Sequence, residues 1–188
     1  MQTVRVGVLG SGDVGKVLAA GFASLGHEVK IGSRDPEKLR EWASASARVS
    51  TGTFAEAAQF GDILVLATLG AAAEDAIRLA GLDAFDNKVL IDATNPLDFS
   101  KGMPPTLFVG TTDSLGEQIQ RLVPKARVVK AFNTVGNAHM INPQFPGGPP
   151  DMFLCGNDAD AKKIVTQICD AFGWGVVDIG GIDASRYL

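Results

Sequence analysis

A glycine-rich turn, Gly10-Ser11-Gly12-Asp13-Val14-Gly15, follows an apolar run at residues 4–9 and leads into a helical stretch. This junction constrains the fold more than any other part of the chain. A GxGxxG string alone is common. With a strand before it, a helix after it and a second strand starting at Glu28, it falls where a βαβ dinucleotide-binding unit needs it. Gly10 permits the tight turn, Gly12 lets a pyrophosphate approach the backbone, and Gly15 lets helix and strand pack closely. Free amides at the helix N-terminus meet the negative charge. Asp13 is an awkward neighbour for a phosphate and is expected to cap the helix or to point to solvent.

The rhythm that starts here continues along the chain. Short β-branched runs at 4–9, 28–31, 63–67, 88–92, 127–131, 152–155 and 176–179 read as strands. Amphipathic stretches at 14–25, 36–45, 72–80, 114–122 and 158–172 read as helices between them. Such alternation predicts an α/β fold of the Rossmann type, a doubly wound, mostly parallel sheet with helices on both faces. The strands are apolar nearly throughout rather than alternating, as strands covered on both faces must be. With 188 residues, the chain is long enough for one sizeable core and is expected to form a single NADP(H)-binding domain over 1–188. The Pro- and Gly-rich stretch 142–151 is too short to link two domains and is expected to be a surface loop near the cleft.

The end of the second strand selects the cofactor. NAD-selective domains carry an Asp or Glu there, about 20 residues after the glycine loop, to hold the ribose 2′-hydroxyl. This chain reads Ile31-Gly32-Ser33-Arg34, with Ser33 eighteen residues beyond Gly15. A serine hydroxyl and a guanidinium suit a 2′-phosphate that a carboxylate would repel. Lys38 adds a second cation. NADP(H), not NAD(H), is the expected cofactor.

Charge and composition exclude other classes. A formal net charge of −4 argues against a general nucleic-acid or anionic-membrane binder. The longest apolar reach, residues 63–69, suits one buried strand and no bilayer span. The N-terminus runs straight into a strand without the pattern of a secretory leader, so a cytoplasmic setting is expected. Cys155 and Cys169 read as buried free thiols rather than a disulfide. His27 reads as a turn residue and His139 as a structural one. No Ser/His/Asp arrangement, catalytic carboxylate pair or metal-ligand spacing emerges, so neither a catalytic side chain nor a metal site is assigned. Hydride transfer between ring cofactors needs none of these, because the cofactors carry the chemistry.

Several segments together resemble the family of coenzyme F420-dependent NADP oxidoreductases and the related NADPH-binding domain of membrane metalloreductases. They are Gly10 to Gly15, Leu25-Gly26-His27-Glu28, Gly32-Ser33-Arg34, Leu154-Cys155-Gly156-Asn157-Asp158 with Lys162-Lys163, and Gly181-Ile182-Asp183-Ala184-Ser185-Arg186. The resemblance implies that Ser11, Gly12, Asp13 and Val14 meet the pyrophosphate, and Ser33, Arg34 and Lys38 the 2′-phosphate. Ala67, Thr68 and Leu69 would line the ribose and nicotinamide, with Thr94, Asn95 and Pro96 at an equivalent strand end. Asn95-Pro96 reads equally as a plain turn. Asn133 stands where the F420-dependent enzymes carry histidine and is more like the metalloreductase domains, whose acceptor is a flavin. Asn133, Thr134, Val135 and Gly136 would then shape the acceptor face, Asn133 by donating a hydrogen bond to a ring carbonyl. The resemblance also implies a homodimer, and a further helix beyond the position of Leu188. The expected activity is hydride transfer between NADP(H) and a small-molecule acceptor, F420 or a flavin (FMN or FAD). An NADPH-binding redox sensor without turnover is the alternative. A reductase of imines or hydroxy acids would need a helical substrate domain that these residues do not contain.

Overall fold

The computed structural model describes residues 2–188. Its strands are β1 (Arg5–Leu9), β2 (Glu28–Gly32), β3 (Val49–Gly52), β4 (Ile63–Leu66), β5 (Val89–Asp92), β6 (Leu97–Asp98), β7 (Thr106–Leu107), β8 (Arg127–Lys130), β9 (Met152–Gly156) and β10 (Val176–Asp178). Its α-helices are α1 (Asp13–Ser24), α2 (Arg40–Ala43), α3 (Phe54–Phe60), α4 (Ala73–Ala80), α5 (Leu115–Leu122) and α6 (Ala159–Ala171). Eight strands form one sheet in the order β10-β9-β8-β5-β4-β1-β2-β3, and β6 and β7 form a separate hairpin. Within the large sheet every pairing is parallel except that of β8 with β9. This is the doubly wound α/β architecture that the alternation of runs predicts.

The all-apolar strands follow from burial on both faces. Along β4, Ile63 and Val65 enter one core with Phe22 of α1 and Ile168 of α6. Leu64 and Leu66 enter the other, with Phe54 of α3, Ile77 of α4 and Ile119 of α5. A strand sandwiched this way has no polar face to show. Cys155 and Cys169 are buried and unpaired. Burial pushes their thiols up to about 11 and about 12, which leaves them inert at neutral pH.

The structure departs from the sequence reading at several points. The edge strand β3, Val-Ser-Thr-Gly, is only half apolar and carries no strand signal of its own. The expected helix 36–45 is a 3₁₀ turn, Pro36–Leu39, followed by the single turn of α2. His27, read as a turn residue, directly follows the turn at Leu25-Gly26 and is buried, where its Nδ1 accepts the Val4 amide at 3.2 Å. His139 is exposed and lies against the Phe145 ring, 4.7 Å between centroids. The stretch 142–151 does not rim the cleft. The Asn142 amide donates to the Phe172 carbonyl at 2.8 Å, and the Trp174 indole to the Met140 carbonyl at 3.0 Å, fastening this connection to the α6 side of the sheet.

Winding changes direction at β1. The chain passes outward through β2 and β3, then returns to lay β4 on the other side of β1. In open α/β sheets, ligands bind in the crevice outside the carboxyl ends of strands at such a switch point.

Candidate functional site

A cleft of about 1170 Å³ opens at that crevice. Its lining gathers the loop after β1 (Gly10, Ser11, Gly12, Asp13, Val14), the end of β2 (Ser33, Arg34, Asp35, Lys38) and the loop after β4 (Ala67, Thr68, Leu69). Eleven of the residues expected from sequence to meet cofactor thus share one cavity.

The phosphate loop is shaped by backbone geometry. Gly10 adopts φ +132°, and a Cβ there would strike the Ala67 carbonyl, so the turn hugs the end of β4. Gly15 does not line the cleft; a Cβ on it would strike the Gly10 carbonyl oxygen. Gly12 differs from both, because a Cβ there would meet nothing within 4 Å. Its missing side chain leaves open space in the lining of the cleft. Thr53, Ser114 and Asp158 cap α3, α5 and α6 through their side chains, whereas α1 begins at Gly12 without a side-chain cap. Its first amides face an approaching anion uncovered. Asp13 is not the cap that the sequence allowed; it is the exposed first residue of the helix.

At the end of β2, the Ser33 hydroxyl accepts from Ser11 Oγ at 3.3 Å and from the Asp35 amide at 3.1 Å. Its own proton stays free to donate. Arg34 is exposed with no ion-pair partner among the described residues, while Lys38 pairs with Asp35 at 3.2 Å. The Asp35 carboxylate, a concern so near a phosphate, is turned toward that lysine. Near the other end of the cleft, the buried Thr68 Oγ1 lacks a hydrogen-bond partner.

Thr94, Asn95 and Pro96 do not line the cleft, although Ala93 does. Thr94 is buried, its hydroxyl donating to Asp92 Oδ1 at 2.6 Å and its carbonyl accepting from Lys130 Nζ at 2.7 Å. Lys130 also meets Asp92 Oδ2 at 2.9 Å, in an ion pair almost wholly withdrawn from solvent. Asn133, Thr134, Val135 and Gly136 lie outside the lining as well. Asn133 is not poised to donate to a ring carbonyl. Its amide hydrogens go to Asn95 Oδ1 and the Leu188 carbonyl, each at 3.1 Å, and only its buried Oδ1 is unpartnered. Leu188 is brought there by a clamp: Arg186 Nε donates to Glu117 at 2.8 Å, and Ser185 meets Ser114 at 2.6 Å.

The sequence reading missed one wall of the cleft altogether. Phe54 opens α3, and Ala72, Asp75, Ala76, Arg78 and Leu79 belong to α4 or its entry. Asn137 follows β8. The α4 pattern had a signal only as an amphipathic helix, because residues three and four apart read as packing whether the face meets protein or ligand.

A doubly wound sheet with an uncapped helix N-terminus and an unpaired arginine at its switch point defines a dinucleotide-binding domain of the Rossmann class. Comparison with known proteins narrows the class. The model of the family described as NADP oxidoreductase, coenzyme F420-dependent, matches residues 5–96. The F420-dependent NADP reductase of Methanothermobacter marburgensis is 30% identical over 98% of this chain and 88% of its own length. A solved structure from Arthrobacter sp. FB24, provisionally assigned as an F420-dependent NADP reductase, superposes with a TM-score of 0.94 at 42% identity, covering 99% of this chain and 88% of that one. The metalloreductase STEAP3 of Rattus norvegicus is 28% identical over 98% of this chain, which spans only 36% of that relative. The chain belongs to the F420-dependent NADP oxidoreductase family, a family of NADP-dependent oxidoreductases. No helix among the described residues is long and apolar enough to cross a membrane.

Proposed function

We propose that the protein binds NADP(H) in this cleft and passes a hydride between its nicotinamide and the ring of a deazaflavin such as F420. The observation that carries the cofactor half of this reading is the unpaired Arg34 beside Ser33, where an NAD-selective domain holds a carboxylate. The residues present fit the dinucleotide. Uncapped amides at α1 and the open space at Gly12 suit the pyrophosphate, Ser33 and Arg34 the 2′-phosphate.

Support for the acceptor comes from the other end of the cleft and from kinship. Ala67, Thr68, Leu69 and Ala93 carry no charge, and Leu69 is 75% exposed, presenting an apolar surface against which a flat ring can lie. Both the Methanothermobacter relative and the Arthrobacter structure carry names that join F420 to NADP. When bound, the nicotinamide supplies the hydride itself. Ala67, Thr68 and Leu69 after β4 and Ala93 after β5 would hold the ring and keep water from it, which is where proximity gains its rate. With Asn133 tied to Asn95 and Leu188, the acceptor face is set by these backbone ends rather than by that amide.

An anaerobic assay of the purified protein with NADPH tests the reading, offering F420, FMN and FAD in turn. Bleaching of F420 is the expected result. Reduction of flavin alone would move the protein toward the metalloreductase relatives, and tight NADPH binding with no acceptor reduced would leave a nucleotide sensor.

A further inference from the structure

The ion pair of Asp92 with Lys130 closes the carboxyl ends of β5 and β8 in a place where the fold has no need of charge. Their neighbours along the two strands, Leu90, Ile91, Val128 and Val129, are buried and apolar. The paired side chains are themselves 0% and 2% exposed. Withdrawing two charges from water is costly, and well-packed apolar side chains in their place are often neutral or stabilising. Stability alone does not account for the pair.

What the two charges hold is one residue. Asp92 Oδ1 accepts from the Thr94 amide at 3.0 Å and from the Thr94 hydroxyl at 2.6 Å. Lys130 Nζ donates to the Thr94 carbonyl at 2.7 Å. The amide, the hydroxyl and the carbonyl of Thr94 are thus all engaged, each by a charged partner, and such bonds are shorter and stronger than neutral ones. Thr94 itself stays out of the cleft, but Ala93 before it lines the uncharged end.

Asn95, on the other side, is fixed as firmly. Its carbonyl abuts Gly70, where a Cβ would strike it, so the turn after β5 rests on the loop that carries Thr68 and Leu69. Its side-chain amide donates to the Asn133 carbonyl at 2.8 Å and its Oδ1 accepts from Asn133 Nδ2 at 3.1 Å. By contrast, the only side-chain bond between the glycine loop and the end of β2 is the one from Ser11 to Ser33, at 3.3 Å. The difference suits the two tasks. A phosphate tolerates small displacements, whereas two reacting rings do not.

We propose that Asp92 and Lys130 are positioning residues for hydride transfer. By locking Thr94 they hold the turn Ala93-Thr94-Asn95 rigid at the ring end of the cleft, so that nicotinamide and acceptor meet at a fixed separation. This inference rests on the hydride-transfer reading and adds to it a pair of residues that touch neither ring.

The test separates holding from folding. In Lys130→Met/Asp92→Leu both charges are gone together, and Thr94 loses its side-chain partners. The folded variant should bind NADPH within about threefold of wild type, because the phosphate end is untouched. Its kcat should fall at least about tenfold with whichever of F420, FMN and FAD the wild type reduces. Lys130→Met/Asp92→Asn keeps an amide oxygen for the Thr94 amide and hydroxyl, and should recover part of that loss. Thr94→Val, a milder change should the double variants not fold, removes the hydroxyl bond alone and should lower kcat at unchanged NADPH affinity. A second readout needs no acceptor. The emission of the reduced nicotinamide should differ between free and wild-type-bound NADPH, and should return toward the free form in Lys130→Met/Asp92→Leu. Wild-type kcat and emission in that variant, or in Thr94→Val where only it folds, overturn the positioning role and leave the cofactor assignment standing. If the wild type binds NADPH but reduces none of the three acceptors, the hydride-transfer reading falls, and with it the positioning for transfer. A wild-type protein that does not bind NADPH overturns the cofactor assignment as well.

Discussion

Ser11 Oγ donates to Ser33 Oγ at 3.3 Å, joining the glycine loop after β1 to the end of β2. Through this contact the loop proposed to meet the pyrophosphate and the strand end proposed to choose between ribose and ribose phosphate are set against each other. On that reading, what hangs from position 33 bears on the choice. Ser33→Asp would place a carboxylate within reach of both the Ser11 hydroxyl and the ligand. It is expected to weaken NADPH binding and to strengthen NADH binding, moving the ratio of the two affinities by about two orders of magnitude, the scale of one charged hydrogen bond made and one lost. Titration of each nucleotide into the variant measures the ratio, and an unchanged value would remove Ser33 from the selector.

On the proposed reading Arg34 bears on the same discrimination by a separate route. Its guanidinium has no ion-pair partner among the described residues, so its removal breaks no ion pair there. Arg34→Ala should cost NADPH about 1.5–3 kcal/mol of binding and leave NADH almost untouched. Much of the interaction is solvent-screened, so the loss should shrink as salt is raised. Equal losses for both nucleotides would refute a 2′-phosphate contact.

The two loop glycines should fail in opposite ways. Gly10→Ala forces a Cβ at φ +132° into the Ala67 carbonyl, so the melting temperature should fall by several degrees. Gly12→Ala meets no protein atom and should change stability by about 1 kcal/mol at most, the cost of a poorer helix cap. NADPH affinity should nevertheless drop at least tenfold in Gly12→Ala. Unaltered affinity there would mean that the open space at Gly12 is not where the pyrophosphate lies.

How far the sequence discloses this arrangement depends on whether a residue acts near its own strand end. The glycine loop and the Ser33-Arg34 pair announce themselves because their chemistry sits at a fixed offset from strands that read clearly. The α4 wall does not, because a helix face looks the same in sequence whether it meets a core or a ligand. Asn133 misled for a related reason. Its place after β8 is correct, but the left-handed turn at Phe132, φ +67°, and the return of the chain at Leu188 decide which way its amide faces. Neither is a local property. The antiparallel β9 is equally silent: its run Met-Phe-Leu-Cys-Gly fits either direction, and the connection through residues 131–151 sets the one observed.

Behind the cleft, Lys130 and Asp92 bridge the carboxyl ends of β8 and β5, with Lys130 also holding the Thr94 carbonyl. Lys130→Met leaves an uncompensated carboxylate in the core, and its cost is expected to be about 3–5 kcal/mol. The double variant Lys130→Met/Asp92→Leu removes both charges and should be more stable than the single one. Chemical denaturation of the three proteins decides the matter. If the single variant loses less than about 1 kcal/mol, the pair is not what fastens the two strand ends.

On the far face, two carboxylates tie α5 to its surroundings and make stability fall in acid. The Arg121 guanidinium beside Asp113 pulls its carboxyl down to about 2, and Arg186, followed by Ser114, lowers that of Glu117. Their unfolded values are about 3.9 and 4.3. Between about pH 4 and about pH 2 the unfolded chain therefore binds protons that the folded chain refuses. The stabilisation is complete above the unfolded values and is lost as pH falls through the folded ones. Urea unfolding at a series of pH values should show a steep acid limb in the wild type and a shallower one in Asp113→Asn and Glu117→Gln. His27, its pKa lowered by burial, adds an earlier decline that begins below about pH 6.5. Acid limbs of equal slope in wild type and both variants would show that the two arginine pairs form equally well in the unfolded chain.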